Sequence, residues 1–336
     1  MAEDFLAHYA APLKAWLDDE AVVEICVNGD GRIWIERTRA LAMTDTGAVL
    51  EASVLDNLGR FIAGKADLSL GESAPLASAV FVHASRPLRA QIVTRPAVRG
   101  IGALAIRKYA TARVGLEQFA ISEGAGLSED ARKAALLGQI AACFDRIDDP
   151  GAVTEMVDLA IEARLNVLIS GGTSSGKTTF LRAMLDRVPA TERIVTIEDV
   201  PEIFPGQPNS VELVCDRQET SARTPERLIE AVLRLRPDRL FMGELRGAEA
   251  RMYLEAINTG HPGSISTMHA NSAEGALQRL SLMVRRGGGT LTGPEVQAYV
   301  ASTIDLVIQL EGRVRKGAIT GFAMPGAGSG TSQRGH

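Results

Sequence analysis

Apolar positions recur along the 336-residue chain with two periods, and the switches between them divide it. Over residues 4–18, Phe5, Leu6, Tyr9, Leu13, Trp16 and Leu17 fall on one stripe, which predicts an amphipathic helix packed on its own domain or, as the alternative, a membrane- or partner-binding face. Val22 to Glu36 is two β-rich runs around Asn28-Gly29-Asp30-Gly31, a hairpin signal. A helix is expected over 51–63, then short strands at Ala79–His83, Arg89–Thr94 and Ala103–Arg107, broken by glycine and proline. Together these predict a smaller α+β N-terminal domain over 1–112, built on an antiparallel sheet.

Residues 113–127, with Gly115, Gly124 and Gly126 and little periodicity, read as a linker. Beyond it, 129–146 and 152–164 are helical in pattern, separated by Asp149-Pro150-Gly151. Asn166–Ser170 is a short apolar run of the kind that forms a buried parallel strand, and apolar residues at 180, 181, 184, 185 and 188 space the next helix for packing on a sheet. Further strands are expected at Ile194–Ile197, Leu240–Met242 and Ser264–Met268, so 128–316 is predicted to be an α/β domain with a doubly wound sheet. Residues 317–336 are polar and glycine-rich and are expected to be a disordered tail.

Between the Asn166–Ser170 strand and its helix lies Gly171-Gly172-Thr173-Ser174-Ser175-Gly176-Lys177-Thr178, a G-x-x-x-x-G-K-[ST] phosphate-binding loop in the strand–loop–helix setting it needs. Gly171, Gly172 and Gly176 let the backbone wrap closely around phosphate, while Thr173, Ser174, Ser175 and Thr179 complete the loop and the first helical turn. Lys177 would reach the β- and γ-phosphates, and the Thr178 hydroxyl would ligate Mg²⁺. The pattern predicts binding of a nucleoside triphosphate.

Three other stretches carry candidate chemistry. Glu198, Asp199 and Glu202 follow the strand Ile194–Ile197, at the strand end where ligands sit in an open α/β sheet. They would orient a water or help hold Mg²⁺ through its water shell, or else cap and solvate a loop. Glu244 follows Leu240–Met242 in Gly243-Glu244-Leu245-Arg246, where a carboxylate would face the metal's water shell or polarise the attacking water. His261 precedes the strand Ser264–Met268 and His269 ends it. Eight residues apart with no cysteine nearby, they are poor metal ligands, and read either as structural imidazoles or as a γ-phosphate sensor.

Composition narrows the partners. Aromatic residues are only 4% of the chain and the net charge is −5, which disfavours a base-stacking surface or a broad nucleic-acid patch. The three cysteines, Cys26, Cys143 and Cys215, form no C-x-x-C pair, as expected in a reducing cytosol. No run of about 18 apolar residues occurs, and the acidic N-terminus lacks a signal-peptide core.

Taken in order, the phosphate loop, the Ile197-Glu198-Asp199 box with Glu202, the Gly243–Arg246 element and the Thr259-Gly260-His261…Thr267-Met268-His269-Ala270-Asn271 box resemble the secretion (traffic) ATPases. That family powers type IV secretion, conjugal DNA transfer, type II secretion and type IV pili, and the resemblance spans residues 20–312. It implies a RecA-like P-loop NTPase domain behind the N-terminal domain, ATP with Mg²⁺, and hydrolysis of ATP in a ring hexamer. It places Lys177 and Thr178 on phosphate and Mg²⁺, Glu198 and Glu202 in the family's acidic box, Glu244 at the Walker B position, and His261 and His269 in its histidine box. N-terminal-domain arginines complete the family's site. Arg107 matches its Ile-Arg-Lys segment and Arg89 an upstream arginine, while Arg95, in Thr94-Arg95-Pro96, lies where the expected Pro-Pro pair is missing.

The lack of a four-cysteine module and the hairpin Glu24–Glu36 resemble the conjugal-transfer and type IV secretion branch. The partners implied are further copies of this chain and inner-membrane secretion or conjugation proteins, at the cytoplasmic face of the membrane, with no sequence-specific nucleic-acid contact. The alternative is a nucleotide-gated scaffold of such a machine with little turnover. A small-molecule kinase would need a lid that no segment supplies, and a DNA motor is disfavoured by the acidic balance.

Overall fold

A computed structural model describes residues 9–109, 129–312, 317–327 and 330–333. The chain forms two compact units, one of Met1–Ala110 with Pro189–Gly243, the other of Thr111–Val188 with Glu244–His336. The expected linker, 113–127, lies outside the described residues.

The first unit holds a six-stranded antiparallel sheet, ordered β3-β2-β1-β6-β5-β4. Its strands are β1 (Val22–Val27), β2 (Arg32–Arg37), β3 (Thr44–Val49), β4 (Leu76–His83), β5 (Arg86–Val93) and β6 (Ala103–Lys108). The expected hairpin is β1–β2, with Ile25 opposite Ile35 and Cys26 opposite Trp34. Gly31 closes it at φ 84°, and a Cβ there would lie 2.5 Å from the Leu50 carbonyl oxygen, so the turn needs glycine. Helix Ala52–Lys65 lays Leu55, Leu58 and Ile62 on the face formed by Ile25, Ile106, Ala90 and Ile92. Of the helix expected over 4–18, residues 4–8 lie outside the described residues, Tyr9 is helical, and a 3₁₀ turn, Ala11–Leu13, then interrupts it before one α-turn, Lys14–Asp18. Pro12 accounts for the break, because it has no N–H to donate within a continuous helix.

The opposite face carries a cross-strand row, with Glu36 beside Glu24, Glu24 beside Arg107 and Arg107 beside Arg89. Glu24 is 5% exposed. Burial pushes its carboxyl from the ordinary 4.5 up to about 7; the Arg107 guanidinium opposes the shift and Glu36 adds to it. Because folding raises this pKa, the folded chain keeps a proton that the unfolded chain releases. Glu24 therefore contributes stability that is present in acid and lost as pH rises towards about 7. Urea unfolding is expected to show wild-type stability falling between about pH 5 and 7. Glu24→Gln should flatten that slope, by at most roughly 1.4 kcal/mol per pH unit. Identical slopes in the two proteins would refute the assignment.

The remaining part of this unit supplies the parallel strands β8 (Ile194–Glu198), β9 (Ser210–Val214) and β10 (Arg239–Met242), ordered β10-β8-β9. Every residue of β8 and β10 is buried, as strands covered on both faces must be. Arg193 is fully buried at the foot of β8 and donates to Leu235 O, Asn28 Oδ1 and Asn209 Oδ1.

In the second unit the strands run β14-β13-β12-β7-β11. They are β7 (Val167–Gly171), β11 (Ile265–Met268), β12 (Leu306–Leu310), β13 (Ile319–Met324) and β14 (Gly330–Gln333). β12, β7 and β11 are mutually parallel, and β13 and β14 add antiparallel. Flanking helices include Glu129–Asp145, Pro150–Glu162, Lys177–Leu185, Glu249–Asn258, Ala273–Arg286 and Gly293–Thr303. The tail expected to be disordered over 317–336 is instead ordered at Ile319–Met324, while 328–329 and 334–336 lie outside the described residues. Residues Ile319–Met324 pair with β12, Phe322, Ala323 and Met324 are buried, and the Phe322 ring stacks on Phe144 with centroids 3.6 Å apart. Apolar burial and ladder bonding outweigh the glycine-rich composition that suggested disorder. No helix among the described residues is long and apolar enough to cross a membrane.

Candidate nucleotide site

β7 is buried along its whole length and delivers the chain to Gly171, after which the loop turns into helix Lys177–Leu185. A Cβ on Gly171 would sit 2.4 Å from Ser175 Oγ and 2.8 Å from the Leu310 carbonyl oxygen, so only glycine fits where β7 meets the loop. Gly176 caps the helix in the left-handed region at φ 91°. The first-turn N–H groups and positive dipole end of a helix N-terminus favour an anion, and the loop stands directly before this one. Gly172, Thr173 and Ser174 are exposed in the loop, Thr178 is half-buried and Thr179 exposed in the first helical turn.

Lys177 is 8% exposed. Its ammonium donates to Gly171 O at 3.1 Å and Gly172 O at 2.7 Å, and lies 3.4 Å from His269 Nδ1. Burial pushes its pKa below the usual lysine range, and the Glu244 carboxylate pulls it back. A buried cation facing two neutral carbonyls of its own loop is well suited to a phosphate anion. The residues present therefore fit a nucleotide phosphate group.

His269 follows β11, which runs in register with β7, Met268 opposite Ser170, and so arrives level with the loop. Its Nε2 lies 3.2 Å from Glu244 Oε1. The partners decide the tautomer. An ammonium can only donate, so Nδ1 accepts from Lys177, and a carboxylate can only accept, so Nε2 carries the hydrogen. Glu244 is held in place by the next residue, Leu245, whose N–H donates to Thr267 O of β11 at 2.9 Å. The second Glu244 oxygen, Oε2, accepts from Arg246 Nε and Nη2, both at 2.6 Å. Lys177, His269, Glu244 and Arg246 thus form one continuous polar chain.

His261 is placed differently. It lies before β11, where Gly263 N–H donates to Asn166 Oδ1 at the foot of β7, the end opposite the loop. A cavity of ≈ 860 Å³ opens at that same end, lined by Asn166, Asn258, Gly260, Pro262 and Asp305, and none of its lining belongs to the loop. The structure does not bring His261 to Lys177.

The remaining candidates lie in the first unit. Glu198 ends β8 and its Oε1 accepts the N–H groups of Glu202 and Ile203, each at 3.0 Å, while burial pushes its carboxyl up to about 7. Glu202 is exposed, and Asp199 pairs with Arg217 at 2.7 Å. Here the acidic box organises its own loop. Among the described residues no group of three His, Cys, Asp or Glu is placed to hold a metal ion. Arg89 and Arg107 are exposed neighbours on β5 and β6, and Arg95 Nε donates to Gly100 O at 2.5 Å. Sequence reasoning gave no role to Arg246, although its place two residues after Glu244 was the available signal.

The family model described as "Type II/IV secretion system protein" matches residues 149–316. The chain is 32% identical over 321 residues to the type IV secretion system protein VirB11 of Bartonella henselae, covering 90% of this chain and 89% of that one. It is 35% identical over 316 residues to PtlH of Bordetella pertussis, also a type IV secretion system protein, covering 91% and 90%. The crystal structure of the VirB11 ATPase from Brucella suis, in complex with sulphate, superposes with a TM-score of 0.81 at 29% identity, covering 96% of this chain and 99% of that one. The chain belongs to the type II/IV secretion system protein family, in its VirB11 branch.

Proposed function

We infer that the protein is an ATP-hydrolysing traffic ATPase of type IV secretion or conjugal transfer, requiring Mg²⁺ and working as a ring of six copies. The observation that carries this reading is the buried Lys177 in a phosphate loop, joined through His269 to the carboxylate of Glu244. The likeness to VirB11 and PtlH, named as type IV secretion proteins, and to a VirB11 ATPase solved with sulphate, supports it.

In this reading residues 128–316 are the catalytic domain and 1–112 the N-terminal domain. The loop N–H groups and Lys177 would hold the β- and γ-phosphates, and the Thr178 hydroxyl would be the side chain that holds Mg²⁺. Mg²⁺ held there would supply charge neutralisation for the phosphates. Glu244 orients and polarises the attacking water, and His269, bonded to both Glu244 and Lys177, senses whether phosphate occupies the loop. Arg107, Arg89 and Arg95 are the candidate cations for charge building on the γ-phosphate. Copies of itself and inner-membrane secretion proteins are the expected partners, with the protein at the cytoplasmic face of the membrane.

The test is Mg²⁺-dependent ATP hydrolysis per subunit across a wide range of protein concentration. Specific activity rising to a plateau that coincides with hexamer mass supports the ring. Full activity in samples shown by mass to be monomeric would refute it.

A further inference from the structure

The cavity at the foot of β7 lies wholly within the second unit, at the end of the strand opposite the phosphate loop. Its floor is fixed by Asn166, which is buried and bonded at both ends of its side chain. Oδ1 accepts the N–H groups of Gly263 and Ser264 at 3.1 and 3.3 Å, and Nδ2 donates to Thr303 O at 2.9 Å. The Asn166 N–H donates to Oδ2 of Asp305, itself buried, at 2.8 Å. Leu136, Leu159 and Ile257 supply apolar wall. Three helices end on the cavity: Pro150–Glu162, Glu249–Asn258 and Gly293–Thr303 each place their last residue in its lining. A helix C-terminus carries carbonyls that the helix itself does not pair, and roughly half a negative charge from its dipole. Among the described residues of the lining Arg164 is the one cation, against the carboxylates of Glu162 and Asp305. Apolar walls with an excess of acceptors and negative charge suit a cation that has a hydrocarbon body. An anion would face the same oxygens.

We propose that this cavity is a binding site for a small aliphatic ammonium ion. Its carbon chain lies along Leu136, Leu159 and Ile257, and its charged end is held by Glu162, Asp305 and the carbonyl ends of the three helices. An ammonium has three donors and no acceptor, which matches a site built of carboxylate and carbonyl oxygens. The hydrogen bonds of Asn166 set the floor in advance, so little ordering is left for the ligand to drive. Gly260 and Pro262, from the turn that holds His261, line the same cavity. The half of the histidine box that does not reach Lys177 thereby shapes a second site. This site does not depend on the reading of the nucleotide loop.

The experiment is titration calorimetry of the full chain with 1,6-diaminohexane, and with 1,6-hexanediol as its neutral counterpart, at fixed ionic strength and without nucleotide. Wild type, Glu162→Gln and Glu162→Lys are compared; Glu162 is exposed, and melting curves without ligand check that each variant folds. Wild type should bind one diamine per chain with a dissociation constant of about 1 mM or tighter, and the diol at least about tenfold more weakly. Glu162→Gln should weaken diamine binding by about two- to fivefold. Glu162→Lys, which sets a like charge at the cavity, should weaken it by about tenfold or more. Absence of saturable diamine binding, or a diol that binds as well as the diamine, would overturn the proposal. Diamine binding left unchanged by Glu162→Lys would place the cation elsewhere on an acidic surface and would overturn it too.

Discussion

Lys177→Ala is expected to lower ATP hydrolysis by roughly 10³-fold or more while leaving the fold intact. The side chain is buried but makes few bonds that the fold depends on: among the described residues its ammonium meets Gly171 O, Gly172 O and His269 Nδ1. Its removal takes away the one buried cation of the loop and also the donor that fixes the His269 tautomer. Loss of charge against the γ-phosphate acts on the transition state, where that charge is needed, so kcat falls together with kcat/KM. Steady-state phosphate release and a melting curve check both halves. A variant that retains more than about a tenth of wild-type kcat would place the chemistry elsewhere.

Glu244→Gln should lower kcat by about 10²–10⁴-fold with ATP affinity largely kept, the signature of a lost water-orienting carboxylate. The amide has nearly the shape of the acid and still accepts from His269, so binding and folding survive. Glu198→Gln is the informative comparison. Its Oε1 already serves the N–H groups of Glu202 and Ile203, and the glutamine carbonyl can accept both. A loss below about tenfold is therefore expected for Glu198→Gln. The two variants are separated by single-turnover hydrolysis and by nucleotide binding measured on the same samples. If Glu198→Gln proves the more damaging, the acidic box supplies the reactive carboxylate and the role given to Glu244 falls.

The parts of the fold with a strong local signal were legible from the chain alone. Val167–Gly171 is an uninterrupted buried run, and the loop glycines meet two statable requirements, close approach at Gly171 and a left-handed φ at Gly176. β3 was not legible, because Thr44–Val49 is an edge strand without a buried stripe and its residues alternate only weakly. The strand Ile319–Met324 was hidden for another reason. Its sequence is short and flanked by glycine, and only the neighbouring β12 and the Phe144 ring make its burial worthwhile. Tertiary context overrode composition there. At the site, the loop, Glu244 and His269 could be named from spacing. That Lys177, His269 and Glu244 touch depends on the registers of β7 and β11, which a sequence does not display. The spending of Glu198 on its own loop and the grip of Arg246 on Glu244 are side-chain choices of the same kind. His261 shares a motif with His269, but the length of β11 carries it to the other end.

The measurement that bears most directly on the account is phosphate release from Mg²⁺-ATP by the purified full chain, run beside Glu244→Gln read for bound nucleotide. The account predicts many turnovers by wild type, and ATP retained unhydrolysed by the variant. Wild type that binds ATP yet releases no phosphate would contradict it, and would make the protein a nucleotide-gated scaffold.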